Sequence, residues 1–162
     1  MNKRILLVRH AKADAEAQGE SDFDRELTSI GMSQSYEMGK ILAAENISLQ
    51  LIISSSSSRT KSTAETLAQL TGYMLDKVIY SEAAYNGSMR NMMEIINNLN
   101  EEIESVMLVA HNPGISYVSE YLTHESIGDM PTCGIVNVKF ENILWKDISA
   151  GSGKLIWFKY PA

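Results

Sequence analysis

The chain has 162 residues, of which 44% are apolar and 21% charged, and its formal net charge is −6. That length suits one domain with its own core, expected over residues 1–162, and the acidic balance with scattered Lys and Arg argues against nucleic acid as a partner. A lone cysteine, Cys133, excludes an intrachain disulfide, and the first apolar run is too short for a signal peptide or a membrane span, so a cytoplasmic protein without a membrane partner is expected. Nothing in the letters sets an oligomeric state, and a monomer is compatible with them.

The first apolar run, residues 5–8, predicts a buried strand that breaks directly into Arg9 and His10 rather than into turn residues. Met38, Ile41 and Leu42 then fall at helical spacing. Residues 51–53 predict a second strand, and the serine run at 54–58 reads as a connection inside one domain that positions Arg59, not as a flexible linker. Ala64, Leu67 and Ala68 continue as a helix, and a short strand is expected around residues 78–80. The stripe Met89, Met92, Met93, Ile96, Leu99 and Ile103 reads as one helix packed on the core rather than as a ligand surface. Residues 106–110 predict a further strand, followed by His111-Asn112-Pro113-Gly114, and residues 135–140 and 155–160 complete the set. Strands alternating with helices argue for an α/β fold: a three-layer α/β/α sandwich with a mostly parallel central sheet.

In such a sheet the carboxyl ends of the strands share one edge, where ligands bind. Arg9 and His10, Arg59, and His111 all follow strand ends and are expected to converge there. Two guanidiniums and two imidazoles in one place need an anion between them, and arginine forks fit phosphoryl oxygens. Asn112 is a candidate helix N-cap, with Pro113 at the first helical position, which would aim free N–H groups at the same anion. The histidines lack zinc-motif spacing and have cations for neighbours, so no metal and no cofactor is expected. Other phosphatase chemistries fail on the letters. Lys139 stands where a cysteine phosphatase with Cys133 would need Arg, and Glu26 stands where an aspartyl nucleophile motif beginning at Asp22 would need Thr or Val. No phosphate-binding loop of the G-x-x-x-x-G-K-[ST] kind is present. Histidine remains as nucleophile.

Arg9-His10-Ala11 resembles the R-H-G signature of the histidine phosphatase superfamily, whose fold is phosphoglycerate mutase-like. Leu27-Thr28-Ser29-Ile30-Gly31 with Gln34 resembles its L-T-x-x-G-x-x-Q, and Ser55, Arg59 and Thr63 resemble its S-P-x-x-R-A-x-Q-T. His111-Asn112-Pro113-Gly114 resembles the second-histidine motif. Ala11, Ser56, Thr60 and Ser62 depart from the pattern without removing a charged group. The short length and "AHNPG" are most like the SixA-type phosphohistidine phosphatases. The resemblance implies that His10 takes the phosphoryl group while Arg9, Arg59 and His111 hold its oxygens, and that Arg25 lies near the pocket. Glu82 lies where larger relatives place the proton donor, and Asp22 is the second candidate. The implied partner is a phosphohistidine-bearing protein, with phosphate or another oxyanion in the site. Hydrolysis of a small phosphate ester and non-catalytic phosphate binding are the rival readings.

Overall fold

The computed structural model describes residues 2–15 and 19–162. Six strands form one sheet in the order β3-β2-β4-β1-β5-β6. They are β1 (Asn2–Arg9), β2 (Leu51–Ser55), β3 (Ile79–Ser81), β4 (Ser105–Ala110), β5 (Ile135–Glu141) and β6 (Lys154–Lys159). The pairs β1–β4, β2–β4 and β2–β3 are parallel, whereas β5 runs antiparallel to both of its neighbours. The mostly parallel sheet read from the sequence is therefore present, with one reversed strand beside β1.

Alternation along β1 divides the core between the two faces. Leu6 and Val8 meet Met38 and Leu42 of α1 (Ser29–Ala44) and Leu67 and Ala68 of α2 (Ser58–Thr71). Ile5 and Leu7 meet Met92 and Ile96 of α4 (Met89–Asn97) and Ile115 and Val118 of α5 (Gly114–Thr123). Each such large apolar side chain taken out of water stabilises the fold by about 1.5–3 kcal/mol. A single turn, α3 (Glu82–Tyr85), follows β3. Among the described residues, no helix is long and apolar enough to cross a membrane.

Two expectations change in detail. The methionine stripe is helical only through Asn97, because Asn97 Nδ2 donates to the carbonyls of Trp145 and Ile148 and Asn98 Nδ2 bonds back to the Glu94 carbonyl at 2.7 Å. Asparagines that compete for backbone groups favour helix ends. Leu99 and Ile103 still pack on the core, but from the connection to β4. The serine run is more ordered than a connection: β2 reaches Ser55 and α2 begins at Ser58, leaving two residues between them. Thr60 Oγ1 binds the Ser55 carbonyl and the Ser57 hydroxyl at 2.8 and 2.7 Å, which folds the run tightly back on itself.

Candidate active site

The central order β2-β4-β1 carries the site. Arg9 pairs with Ala110 and Ser54 with Val109, so Ser55, His111 and His10 emerge level at one sheet edge from three adjacent parallel strands. Reversal of β5 brings the turn before it to the same edge. There the Gly134 carbonyl accepts from Arg9 N–H, and Cys133 N–H donates to the His10 carbonyl.

Hydroxyl and amide side chains from the two helices on that face grip the loop after His10. Thr63 Oγ1 accepts Ala11 N–H at 3.0 Å and donates to the Arg59 carbonyl at 2.8 Å, which ties the arginine turn to the histidine loop. Gln34 Oε1 accepts Lys12 N–H at 2.9 Å, and Thr28, the N-cap of α1, accepts from Gly31 N–H. A Cβ on Gly31 would stand 2.1 Å from the Lys12 carbonyl oxygen, so only glycine lets the loop lie on this helix start. Ala11 is fully buried and is not among the positive-φ residues, so its departure from glycine carries no backbone strain.

These elements surround a cavity of about 570 Å³ lined by Arg9, His10, Asp22, Arg25, Arg59 and His111, among others. Asn112 and Pro113 line it too. The N-cap reading of Asn112 needs correction: Pro113 occupies the N-cap of α5. The Asn112 side chain accepts from the Ser116 hydroxyl and donates to the Met130 carbonyl, and Arg9 donates to that same carbonyl. Glu82 is exposed at the start of α3 and is not one of the cavity-lining residues, whereas Tyr85, three residues on, is. Asp22 lies in the cavity wall. Its Oδ2 accepts from Arg59 at 3.0 Å and from the Tyr85 hydroxyl at 2.8 Å, and its Oδ1 accepts from Arg25 at 2.9 Å.

The hydrogen bonds assign the imidazole protons. His10 Nδ1 is 2.7 Å from the Ala11 carbonyl, which can only accept, so Nδ1 carries the proton and Nε2 keeps the lone pair. Arg59 can only donate, so His111 Nδ1 accepts from it at 3.3 Å, and His111 Nε2–H donates to Ser55 Oγ at 2.8 Å. Burial first, then neighbouring positive charge, pushes His10 down to about 3 and His111 down to about 4. Burial alone would raise the proton affinity of Asp22, but its bonds to Arg25, Tyr85 and Arg59 outweigh this and hold the carboxyl well below the usual range. Nε of both Arg9 and Arg59 is buried without a hydrogen-bond partner. Both guanidiniums line the cavity, so positive charge faces whatever enters it.

Tyr85 and the bridging position of Asp22 were not legible in the sequence as functional features. Tyr85 sits in a four-residue helix with no periodicity, and the only hint was its proximity to the turn residues Asn86-Gly87. Gly114 fixes that turn close by, since a Cβ there would lie 1.8 Å from the Gly87 carbonyl oxygen.

The model of the histidine phosphatase superfamily (branch 1) matches residues 5–84. A chloroplastic protein of Arabidopsis thaliana is 28% identical over 165 residues, covering 97% of this chain and 75% of its own. A structure from Agrobacterium tumefaciens, assigned as the phosphohistidine phosphatase SixA, has a TM-score of 0.81 at 28% identity and covers 99% of both chains. The protein histidine phosphatase SixA complexed with tungstate shares the fold, with a TM-score of 0.81, 22% identity and coverage of 97% of this chain and 96% of its own. The family match over residues 5–84, the strand order and the paired Arg-His strand ends agree: the chain resembles the histidine phosphatase superfamily and has a SixA-like, phosphoglycerate mutase-like fold.

Proposed function

We propose that the protein is a phosphohistidine phosphatase that works through a phosphorylated His10 and needs no metal. The observation that carries this reading is the bare Nε2 of His10 at the base of a cavity lined by Arg9, Arg25 and Arg59. The Nε2 lone pair attacks phosphorus, the bond from phosphorus to the leaving nitrogen of the substrate imidazole breaks, and that nitrogen takes a proton. Water then attacks phospho-His10, releasing inorganic phosphate and restoring Nε2. Arg9 and Arg59 supply the positive charge that the transferring group requires, the role a metal ion plays elsewhere. That SixA of the same fold is found with tungstate, a tetrahedral oxyanion, supports the phosphate-trap reading.

His111 has to donate to a phosphoryl oxygen, yet in the empty site its Nδ1 is an acceptor from Arg59. A phosphoryl group that takes Arg59 calls for a proton on Nδ1. Ser55 makes that possible without charging the ring, because its hydroxyl can donate to Nε2 as readily as it accepts.

Asp22 rather than Glu82 is the proton donor in this reading. The empty site holds it ionised. Substrate draws Arg59 away and brings a dianion beside the carboxylate, and both changes raise its proton affinity. The acid is thereby formed by the substrate it serves.

A panel containing a phosphohistidine protein, glycerol phosphate and a sugar phosphate, assayed in EDTA, tests the reading together with a labelled-phosphate quench. A label on His10 that survives alkali and is lost in acid, with the phosphohistidine protein ahead in kcat/KM by about tenfold or more, is expected. Faster turnover of a small ester would transfer the assignment to an ester hydrolase, and oxyanion binding without turnover would make the protein a phosphate-binding module.

A further inference from the structure

Four rings run in series from the surface to the nucleophile, and the inner three, Tyr85, His111 and His10, line the cavity. Phe23 meets Tyr85 edge to face with centroids 5.1 Å apart, and Tyr85 meets His111 in the same way at 5.5 Å. His111 lies 5.3 Å from His10. Phe23 is 37% exposed, whereas His10 and His111 are buried. The Tyr85 hydroxyl is bonded to Asp22 at 2.8 Å, so this ring is held in place before any ligand arrives.

In-line attack by His10 puts the leaving group on the side of phosphorus opposite Nε2, away from the cavity base and toward its mouth. Beyond the groups that hold the phosphoryl, the cavity is lined by Asp22, Arg25, Tyr85 and the Asn86-Gly87 turn, and Phe23 packs behind Tyr85. Tyr85 is the aromatic ring among them, and it is bonded to Asp22, the one carboxylate that lines the cavity among the described residues. A flat leaving ring there meets ring faces and edges, and aromatic pairs gain about 0.5–1.5 kcal/mol beyond the area they bury. An aliphatic sugar or glycerol group of equal size gains the burial alone.

Resting on the phosphatase reading, we infer that Tyr85, held in place by Phe23 and Asp22, selects the leaving group: the site favours phosphoryl donors carried on a planar conjugated ring over those carried on an alkyl oxygen. The imidazole of phosphohistidine and the phenol of phosphotyrosine share this chemistry, and phosphoserine and sugar phosphates lack it. The preference belongs to the mouth and not to the phosphoryl pocket, so it is expressed in binding as well as in turnover.

Phenylphosphonate and cyclohexylphosphonate make the comparison without chemistry, because they match in size and differ in planarity. Titration calorimetry of the wild-type protein is expected to give a dissociation constant about three- to tenfold lower for the phenyl compound. The ratio should fall toward one in Phe23→Leu and in Tyr85→Leu, and it should persist in Phe23→Trp, which also guards against a folding defect. A wild-type ratio of one or less, or a ratio unchanged in both leucine variants, would overturn the inference. Turnover of phosphohistidine, phosphotyrosine and phosphoserine peptides by the wild-type protein and by Tyr85→Leu separates the two claims. A ring peptide ahead of phosphoserine by a margin that shrinks in Tyr85→Leu supports the selection, and phosphoserine equal or ahead, or a margin unchanged in that variant, refutes it. A phosphonate ratio that holds with no turnover of any peptide would sink the phosphatase reading while leaving the wall intact.

Discussion

Replacing Asp22 by Asn is expected to move binding and turnover in opposite directions. In the empty site the Asp22 carboxylate engages Arg59 at 3.0 Å and Arg25 at 2.9 Å, and both of these cations line the phosphoryl cavity. An entering oxyanion has to displace the bond to Arg59. Hydrogen bonds between charged groups are worth about 1.5–3 kcal/mol, but the Asp22 side chain is 45% exposed and water screens the pair, so about 1–1.5 kcal/mol is the reasonable cost. Asp22→Asn removes that competition and should tighten vanadate or inorganic phosphate by about 5- to 13-fold, measured by calorimetry. Turnover suffers instead, since a positioned general acid contributes about 10²–10⁴-fold. The loss should be at least about 100-fold in kcat for an alkyl phosphate, whose leaving group needs a proton. It should be far smaller for p-nitrophenyl phosphate, whose leaving group departs as an anion. Weaker oxyanion binding in the variant, or an equal loss for both leaving groups, would refute the latch-and-acid account of Asp22.

Other substitutions test other parts of the site. His10→Asn should abolish turnover and alkali-stable labelling, whereas Ser55→Ala should retain the label and lose about tenfold in kcat/KM, the ~1.4 kcal/mol expected for one neutral buried hydrogen bond to His111. Gly31→Ala drives a methyl into the Lys12 carbonyl, and such overpacking costs about 1–3 kcal/mol; urea unfolding should register it along with a loss of activity from the displaced His10 loop. The histidines also set a pH dependence of stability. Unfolded, each takes up a proton near pH 6.5, whereas the folded chain resists until about 3 for His10 and about 4 for His111. The unfolded state therefore binds more protons throughout that window, and stability falls as pH falls, by about 1.4 kcal/mol per pH unit for each histidine. Urea midpoints between pH 6.5 and 5 in phosphate-free buffer should show His10→Asn losing one proton's worth of that slope; an unchanged slope would mean that His10 is not held neutral.

Much of the site could be read from letters because the fold makes it so. Arg9, His10 and His111 sit at the ends of buried apolar strands, and Arg59 opens the helix after another, so parallel pairing alone brings them together. Asp22 and Tyr85 belong to single-turn elements that are held in place by tertiary bonds, and local propensity says little about such segments. Glu82 illustrates the gap. Strand β3 ends where expected, but the single turn after it leaves Glu82 in solvent and carries Tyr85 to the cavity. The Asn112 cap failed for a related reason, since Ser116 and Met130 compete for its side chain. Ser55 was visible as part of a motif, but its hydrogen bond to His111 Nε2 depends on a distance that no spacing encodes.

The pairing of Ala13 with Leu27, reinforced by Asp14 N–H donating to the Glu26 carbonyl, forms a short stem. Asp22, Phe23 and Arg25 all hang from that stem, while His10, Ser55 and His111 are anchored at the ends of sheet strands. The nucleophile and the proton donor are therefore carried on separable pieces of chain. Loop closure becomes costlier only slowly with length, by about 0.6 kcal/mol per doubling, so the stem can accept a longer or differently composed insert without disturbing the strand ends. A foreign segment grafted between Ala13 and Leu27 that kept a carboxylate in the place of Asp22 would re-address the enzyme to a new leaving group while the nucleophile and its arginines stayed in place, a route by which one sheet could diversify into many specificities.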